Sequence, residues 1–266
     1  MAIRERARVA SVELELLAEG RTAEVFAWGA GRVLKLDRPE WTGLTAYEAY
    51  VLELVADAGI PVPRPHGTST VEERTGVVLD RVDGPVLSEV IAAAVDVAPL
   101  AHEFIDLHRS LNERTVAGLP DLVAGLADGV RGSGLSPSLI DELLAMLDGL
   151  DDGRRVLCHF DLHAGNVLVG AEQWVVIDWI TASLGPPDAD FARTLVLDQP
   201  GSRSARGRFM SVVARKGMAV RHIDRPRLDA WIRVVAAARI SEGFEGEAAR
   251  DLSALASGER RIGEDA

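Results

Sequence analysis

Residues 156–180, VLCHFDLHAGNVLVGAEQWVVIDWI, constrain this chain more than any other stretch. Val156–Cys158, Val167–Val169 and Trp174–Ile177 are short apolar runs, and Gly165 and Gly170–Ala171 break between them, which predicts three small strands joined by loops. Asp161 and Asn166 then leave one loop five residues apart, and Asp178 leaves the end of the next strand. A carboxylate, an amide oxygen and a second carboxylate converge on one space, and hard oxygen ligands of that kind suit magnesium. Two other readings use the same residues. An Asp or Asn in a loop is ordinary turn chemistry. His159, Asp161 and His163 alternate, so on a strand they would share one face as a zinc-binding triad does, with Cys158 pointing the other way.

An Asp, an Asn five residues on and an Asp after a short hairpin is the arrangement that phosphoryl transfer asks for. One acid accepts the nucleophile's proton, while the Asn and the second Asp hold the magnesium that bridges the nucleotide phosphates. HFDLHAGN followed by VIDW resembles the catalytic and metal-binding loops of the aminoglycoside phosphotransferase family, small-molecule kinases with a protein-kinase-like fold. Three further runs extend the resemblance, which covers residues 14–245 in continuous order. TAYEAYVLELVADAGIPVPRPHG is similar to the family's helix-plus-proline segment, and VVLDRVDG to its hinge. GPPDADFA is similar to its GDPxxDLA segment, with Pro186 in place of the usual Asp and Asp190 as a structural residue that bonds the catalytic-loop backbone.

The resemblance implies a bilobal α+β chain, with a small N-lobe of one antiparallel five-stranded sheet plus a helix over 1–83 and a larger, mainly helical C-lobe over 84–266. It implies Asp161 as the catalytic proton acceptor, Asn166 and Asp178 on magnesium, and Lys35 on the phosphates in a pair with Glu48. Gly20 and Thr22 would cover the phosphates, and the backbone around Leu79, Asp80 and Val82 would meet the base. ATP or GTP would be the donor and a small hydroxylated molecule, cationic amines included, the acceptor. A nucleotide-binding pseudokinase that senses or docks without turnover is the alternative.

The residues themselves support these lobes. Val12–Leu16, Val25–Trp28 and Arg32–Leu36 alternate as strands, Gly29–Gly31 is a natural hairpin, and Gly20–Glu24 links the first two strands. Gly20 alone is thin for a phosphate loop. A helical pattern follows over 42–58 with Gly59 as its stop, carrying Glu48 and the competing Glu53. Strands over 67–71 and 76–82 complete the sheet. Beyond Gly84 the period lengthens, predicting helices over 88–95, 99–112, 136–147, 203–222 and 225–255. His108 sits in the apolar stripe of the second of these. Residues 115–134, with five glycines, read as a surface connection or a substrate-side insertion.

Charge narrows the partners. With 266 residues and a formal net charge of −12 the chain is a poor match for nucleic acid or an anionic membrane surface, and its apolar runs are too short to span a bilayer. A cytoplasmic location is expected, and one cysteine excludes an internal disulfide. Residues 201–227 run against the overall charge, with eight basic residues and one Asp, as a solvated helix face or a mobile lid over an anionic nucleotide would. Glu242, Glu245 and Glu247 could receive a polycationic acceptor, or form an ordinary solvated face. Of the 29 basic residues only Lys35 and Lys216 are lysines. A chain that writes Arg nearly everywhere has kept an ammonium at position 35, where a compact point charge can grip phosphate and a planar fork cannot.

Overall fold

A computed structural model describes residues 7–9, 14–199 and 203–263. The chain forms two compact units, Met1–Pro85 with Asn166–Ile180 and Val86–Gly165 with Thr181–Ala266. The first is a small lobe of one main sheet and one helix, and the second is larger and mainly helical, as the α+β reading predicts. A cut at 83/84 misses one feature: residues 166–180 cluster with the first unit.

In the first unit β1 (Ala7–Val9), β2 (Leu16–Glu19), β3 (Ala23–Ala27), β4 (Arg32–Asp37), β5 (Pro65–Val71) and β6 (Arg74–Asp80) form one sheet in the order β1-β5-β6-β4-β3-β2. Five strands are antiparallel as expected. The sixth, β1, adds to the edge in parallel with β5, so the sheet has six strands. Part of the expected first strand, residues 12–13, lies outside the described residues, and the described β2 begins only at Leu16. Alternation in β4 sets the two faces. Leu34 and Leu36 bury with Val78 against Leu14, Phe26, Trp28 and Val71. Lys35 and Asp37 point to the other face, where α1 (Leu44–Asp57) packs through Val51, Leu52 and Val55.

Helix α1 is seated by a carboxylate from the sheet. Its N-cap is Gly43 at φ 98°, which has no side chain to cap with. Buried Asp37 does the capping from the end of β4: its two oxygens accept the N–H groups of Gly43 at 2.7 Å and Thr45 at 2.9 Å. This bond fixes α1, and therefore Glu48, against the strand that carries Lys35.

The second unit begins with α2 (Leu87–Ala93), α3 (Ala98–Leu111), α4 (Leu122–Arg131), α5 (Pro137–Leu150) and β7 (Val156–Cys158). The chain then returns to the first unit as the hairpin β8 (Val167–Val169) and β9 (Trp174–Val176). It continues in the second as β10 (Ser183–Gly185), α6 (Pro187–Leu197), α7 (Ala205–Arg221), α8 (Arg225–Ile240) and α9 (Gly246–Ser257). Strand β10 pairs antiparallel with β7. Helix α8 is the core of this unit, with Leu228, Trp231, Ile232 and the run Val234–Ala237 all buried.

Two expectations are corrected here. The glycine-rich segment 115–134 contains helix α4, capped by Asp121 and buried through Leu122, Leu126 and Val130 at helical spacing. Gly129 serves close packing: a Cβ there would lie 2.9 Å from the Ala238 Cβ of α8. The single helix expected over 225–255 is two, α8 and α9, divided at residues 241–245 by a turn with Gly243 at φ 82°. Among the described residues no helix is long and apolar enough to cross a membrane.

Replacing Asp37 with Ala removes the acceptors of one buried and one partly buried N–H group. Such a change is expected to cost about 2–3 kcal/mol in urea unfolding. A loss below about 0.5 kcal/mol would mean that α1 seats itself on apolar contacts alone.

Candidate active site

Lys35 occupies the middle of β4, opposite Val25 on β3 and Val77 on β6. Its Nζ lies 2.6 Å from Glu48 Oε2 and 3.0 Å from Asp178 Oδ1. Of the two glutamates considered for the pair, Glu48 is the one on the buried face of α1, and its Oε1 also accepts the Trp179 N–H at 3.3 Å. Burial alone would push the Lys35 ammonium down, but Glu48 and then Asp178 outweigh it and hold its pKa above the ordinary lysine value. Lys35 therefore stays charged in a site where its side chain is only 14% exposed.

Asp178 follows β9 in the left-handed region at φ 66°, a strained setting for a non-glycine residue. The strand before it is tied back: Ile177 N–H donates to the Asn166 carbonyl at 3.0 Å, which brings the ends of the β8–β9 hairpin together. Asn166 is buried at the end of a 3-10 turn over Ala164–Asn166. Thus Lys35, Glu48, Asn166 and Asp178 all belong to one unit, drawn from a strand, a helix and a hairpin.

The other predicted nucleotide-side residues have these settings. Gly20 and Thr22 form the turn between β2 and β3, and Arg38 holds that turn by donating its main-chain N–H to the Thr22 carbonyl at 2.8 Å and its Nε to the Gly20 carbonyl at 3.0 Å. Leu79 is buried within the ladder between Val33 and Pro65. Strand β6 stops at Asp80, two residues earlier than expected, and Asp80 Oδ1 lies 2.5 Å from His66 Nε2. Val82 is in the irregular stretch that follows. That stretch ends on Gly84 at φ 148°, where a Cβ would meet the Val169 carbonyl at 2.3 Å, and the Val169 N–H donates to the Pro85 carbonyl at 2.9 Å.

In the second unit, helix α6 grips the loop that carries Asp161 at three points. Fully buried Asp190 accepts the Phe160 N–H at 2.8 Å through Oδ1. The Arg193 guanidinium lies over the Phe160 ring at 5.1 Å, with Nη2 3.8 Å from Asp161 Oδ1. Thr194 Oγ1 donates to the Leu162 carbonyl at 2.8 Å. Phe160 is left-handed at φ 59°, so residues 159–163 form a tight loop and His159, Asp161 and His163 do not share a strand face. His159 Nδ1 instead accepts the Asp161 N–H at 3.2 Å, and His163 Nδ1 the Gly165 N–H at 3.0 Å. These bonds spend both imidazoles on the loop's own backbone and remove the basis of the zinc-like reading. Cys158 is buried, as expected of a small hydrophobe.

Sequence reasoning singled out Asp190 but missed Arg193 and Thr194. The available signal was their spacing, at i+3 and i+4 from Asp190 on one helix face. Glu242 is already engaged, with Oε1 2.6 Å from Arg193 Nη1 and Oε2 3.9 Å from Arg239. Glu245 stands at the N-cap position of α9 without a side-chain capping bond and Glu247 lies in its first turn, where acidic side chains complement the helix N-terminus. The described part of the basic segment is mainly helix α7 and the start of α8, with Arg203, Arg206, Arg208, Arg215 and Lys216 exposed, as a solvated helix face would have them. Arg206 pairs with Asp198, Arg225 with Asp229, and Arg227 with Asp188.

Residues 13–231 match the profile of APH, the phosphotransferase enzyme family. No curated protein matches the chain. The crystal structure of aminoglycoside phosphotransferase APH(4)-Ia is similar at TM-score 0.70 and 16% identity, over 94% of this chain and 94% of that one. A thermostable mutant of that enzyme, in a ternary complex with AMP-PNP and hygromycin B, is similar at TM-score 0.68 and 17% identity, over 96% and 95% of the two chains. A GDP complex of an aminoglycoside 2'-phosphotransferase-IIIa mutant reaches TM-score 0.58 at 17% identity, over 93% and 89%. At these identities the likeness establishes the fold, which is bilobal and protein-kinase-like.

The Lys35 site makes a pH-dependent prediction. In Lys35→Met the buried Glu48 loses the ammonium that pulls its pKa down, while burial still pushes it up. Breaking such a pair is expected to cost about 3–5 kcal/mol near neutral pH. Glu48 then has a folded-state pKa above its unfolded value, so stability present below about pH 4.3 is lost as pH rises through the folded pKa. Urea unfolding in magnesium-free buffer should show the variant falling further behind the parent between about pH 5 and 8. A deficit constant over that range would contradict the assignment.

Proposed function

The chain belongs to the phosphotransferase enzyme family, and we propose that it transfers the γ-phosphoryl group of ATP or GTP to a hydroxyl of a small molecule, with Asp161 as proton acceptor, Asn166 and Asp178 as magnesium ligands and Lys35 on the donor's phosphates. The observation that carries the reading is the Lys35 ammonium held between Glu48 and Asp178, in a chain that also holds Phe160, Asp161 and Leu162 on helix α6.

The donor set fits magnesium. An amide oxygen and a carboxylate come from adjacent ends of the β8–β9 hairpin, and a nucleotide site needs only one or two such protein ligands beside water and phosphate. Among the described residues no three His, Cys, Asp or Glu side chains gather into an all-protein metal cage. When bound, magnesium supplies positive charge that offsets the negative charge on the transferring group. Lys35 adds a second positive charge, aimed by Glu48. Asp161 takes the proton of the acceptor hydroxyl as the new O–P bond forms, and the bond to the β-phosphate oxygen breaks to release a nucleoside diphosphate. Irregular backbone around Asp80 and Val82 is the part suited to the base edge, with Gly20 and Thr22 over the phosphates.

The similar structures with AMP-PNP and hygromycin B and with GDP make ATP, GTP and hydroxylated antibiotics the first donors and acceptors to test. A nucleoside triphosphate donor also supports a cytoplasmic place of work. Because Glu242 is neutralised by two arginines, a cationic acceptor would have to rely on other acids.

Phosphoryl transfer to a panel of hydroxylated antibiotics, amines and sugars tests the reading. Chelation of magnesium should abolish turnover. Asp161→Asn should lower kcat by ~10²–10⁴ while nucleotide affinity stays near that of the parent. Asp178→Asn should instead weaken magnesium-dependent nucleotide binding. Tight nucleotide binding with no transfer to any acceptor, unchanged by either substitution, would support a pseudokinase.

A further inference from the structure

Helix α7 ends on Arg221, a largely buried arginine that reaches towards α3 and α6 instead of solvent. The approach depends on Gly217, one turn earlier, where a Cβ would lie 2.3 Å from the Phe191 ring. With that ring so close, the Arg221 guanidinium lies over it at 4.7 Å. Its Nη2 donates to Asn112 Oδ1 at 3.0 Å and to His108 Nδ1, while Nε and Nη1 are buried without hydrogen-bond partners.

A guanidinium can only donate, so both neutral neighbours are oriented by it. Asn112 turns its oxygen to Arg221 and its Nδ2 to Asp190 Oδ2 at 2.9 Å and the Leu157 carbonyl at 3.0 Å. His108 accepts at Nδ1 and so carries its proton on Nε2, which lies 3.6 Å from Asp190 Oδ2, beyond hydrogen-bond distance. Asp190 in turn holds the N–H of Phe160, the left-handed residue before Asp161.

We propose that Arg221 is a positioning residue for phosphoryl transfer: it orients Asn112 so that its amide donates to Asp190, and through Asp190 it holds the backbone of Phe160 and with it Asp161. This rests on Asp161 being the proton acceptor. The other titratable groups around Asp190 are His108 on α3, Cys158 on β7 and His159 in the loop. Burial, then Arg221, pushes the His108 imidazole down, and burial pushes the Cys158 thiol up, so both are neutral near pH 7. Burial also lowers Arg221 to about 10, which leaves it charged near pH 7, the cation that faces the Asp190 carboxylate across two neutral side chains.

The test combines hydrogen exchange of the nucleotide-free protein over the peptide 157–165 with magnesium-ATP turnover, in Arg221→Gln, Arg221→Lys and the exposed control Arg215→Gln. In Arg221→Gln the loop peptide should exchange about 10-fold faster than in the parent. Its kcat should fall by about 10–100-fold, with nucleotide KM within about two-fold. Lys keeps the charge but loses the fork geometry, so it should show the same pattern at smaller size, and it carries the test if Gln does not fold. Arg215→Gln should match the parent. Parent-like loop exchange and kcat in whichever Arg221 variant folds, with only the melting temperature lowered, would overturn the proposal. Asp161→Asn, run alongside, separates the two claims. Retained turnover there defeats the proton-acceptor reading, whereas a dead Asp161→Asn beside parent-like Arg221 variants defeats this inference alone.

Discussion

An ammonium shared by two carboxylates is the interaction on which the first unit depends. Lys35 comes from a central strand, Glu48 from the helix that covers it, and Asp178 from a hairpin over a hundred residues later in the chain. The Lys35 and Glu48 charges would each be costly to bury alone, so the strand and the helix that carry them favour each other. Residues 166–180 cluster with the sheet, and α1 is anchored from the strand by Asp37 and not by its own N-cap. The fold here builds a compact positive charge that stays put because two carboxylates flank it.

The second unit solves a different problem, holding a short loop in an unfavourable backbone conformation. Phe160 and Asp178 are both left-handed without being glycine, and each sits at or beside an acid of the catalytic pattern. Such conformations cost of order 1–3 kcal/mol and persist only where the surroundings over-determine them. For Phe160 the surroundings are Asp190, Arg193 and Thr194 on one face of α6, backed by the Asn112 and Arg221 relay. Strain at these two residues is thus the cost of aiming two carboxylates.

Much of this was legible in the chain itself, because the informative residues are either rare or locally spaced. Lys35 stands out in a lysine-poor sequence, and the Asp161, Asn166 and Asp178 spacing is local enough to read directly. The segment 115–134 was misread because glycine signals a loop by propensity, while the structure uses Gly129 to let α4 approach α8. The break between α8 and α9 is marked by Gly243 and Gly246, both at positive φ, a local signal that the single-helix reading ran through. Strand β1 pairs in parallel with a strand far along the chain, which no local pattern reports. Arg221 meets Asn112 and His108 only by tertiary contact, and an Arg in an Arg-rich chain carries no mark of its partner.

The claim that position 35 needs an ammonium, and not merely a positive charge, is tested most directly by kcat/KM for Lys35→Arg beside Lys216→Arg, with circular dichroism to establish folding. Lys216 is exposed on α7 and should accept arginine without effect. At position 35 the longer planar fork cannot sit between Glu48 and Asp178 in the same geometry, and an error of about 1 Å there should lower kcat/KM by ~10²-fold with the fold intact. Equal activity in the two variants would contradict the account.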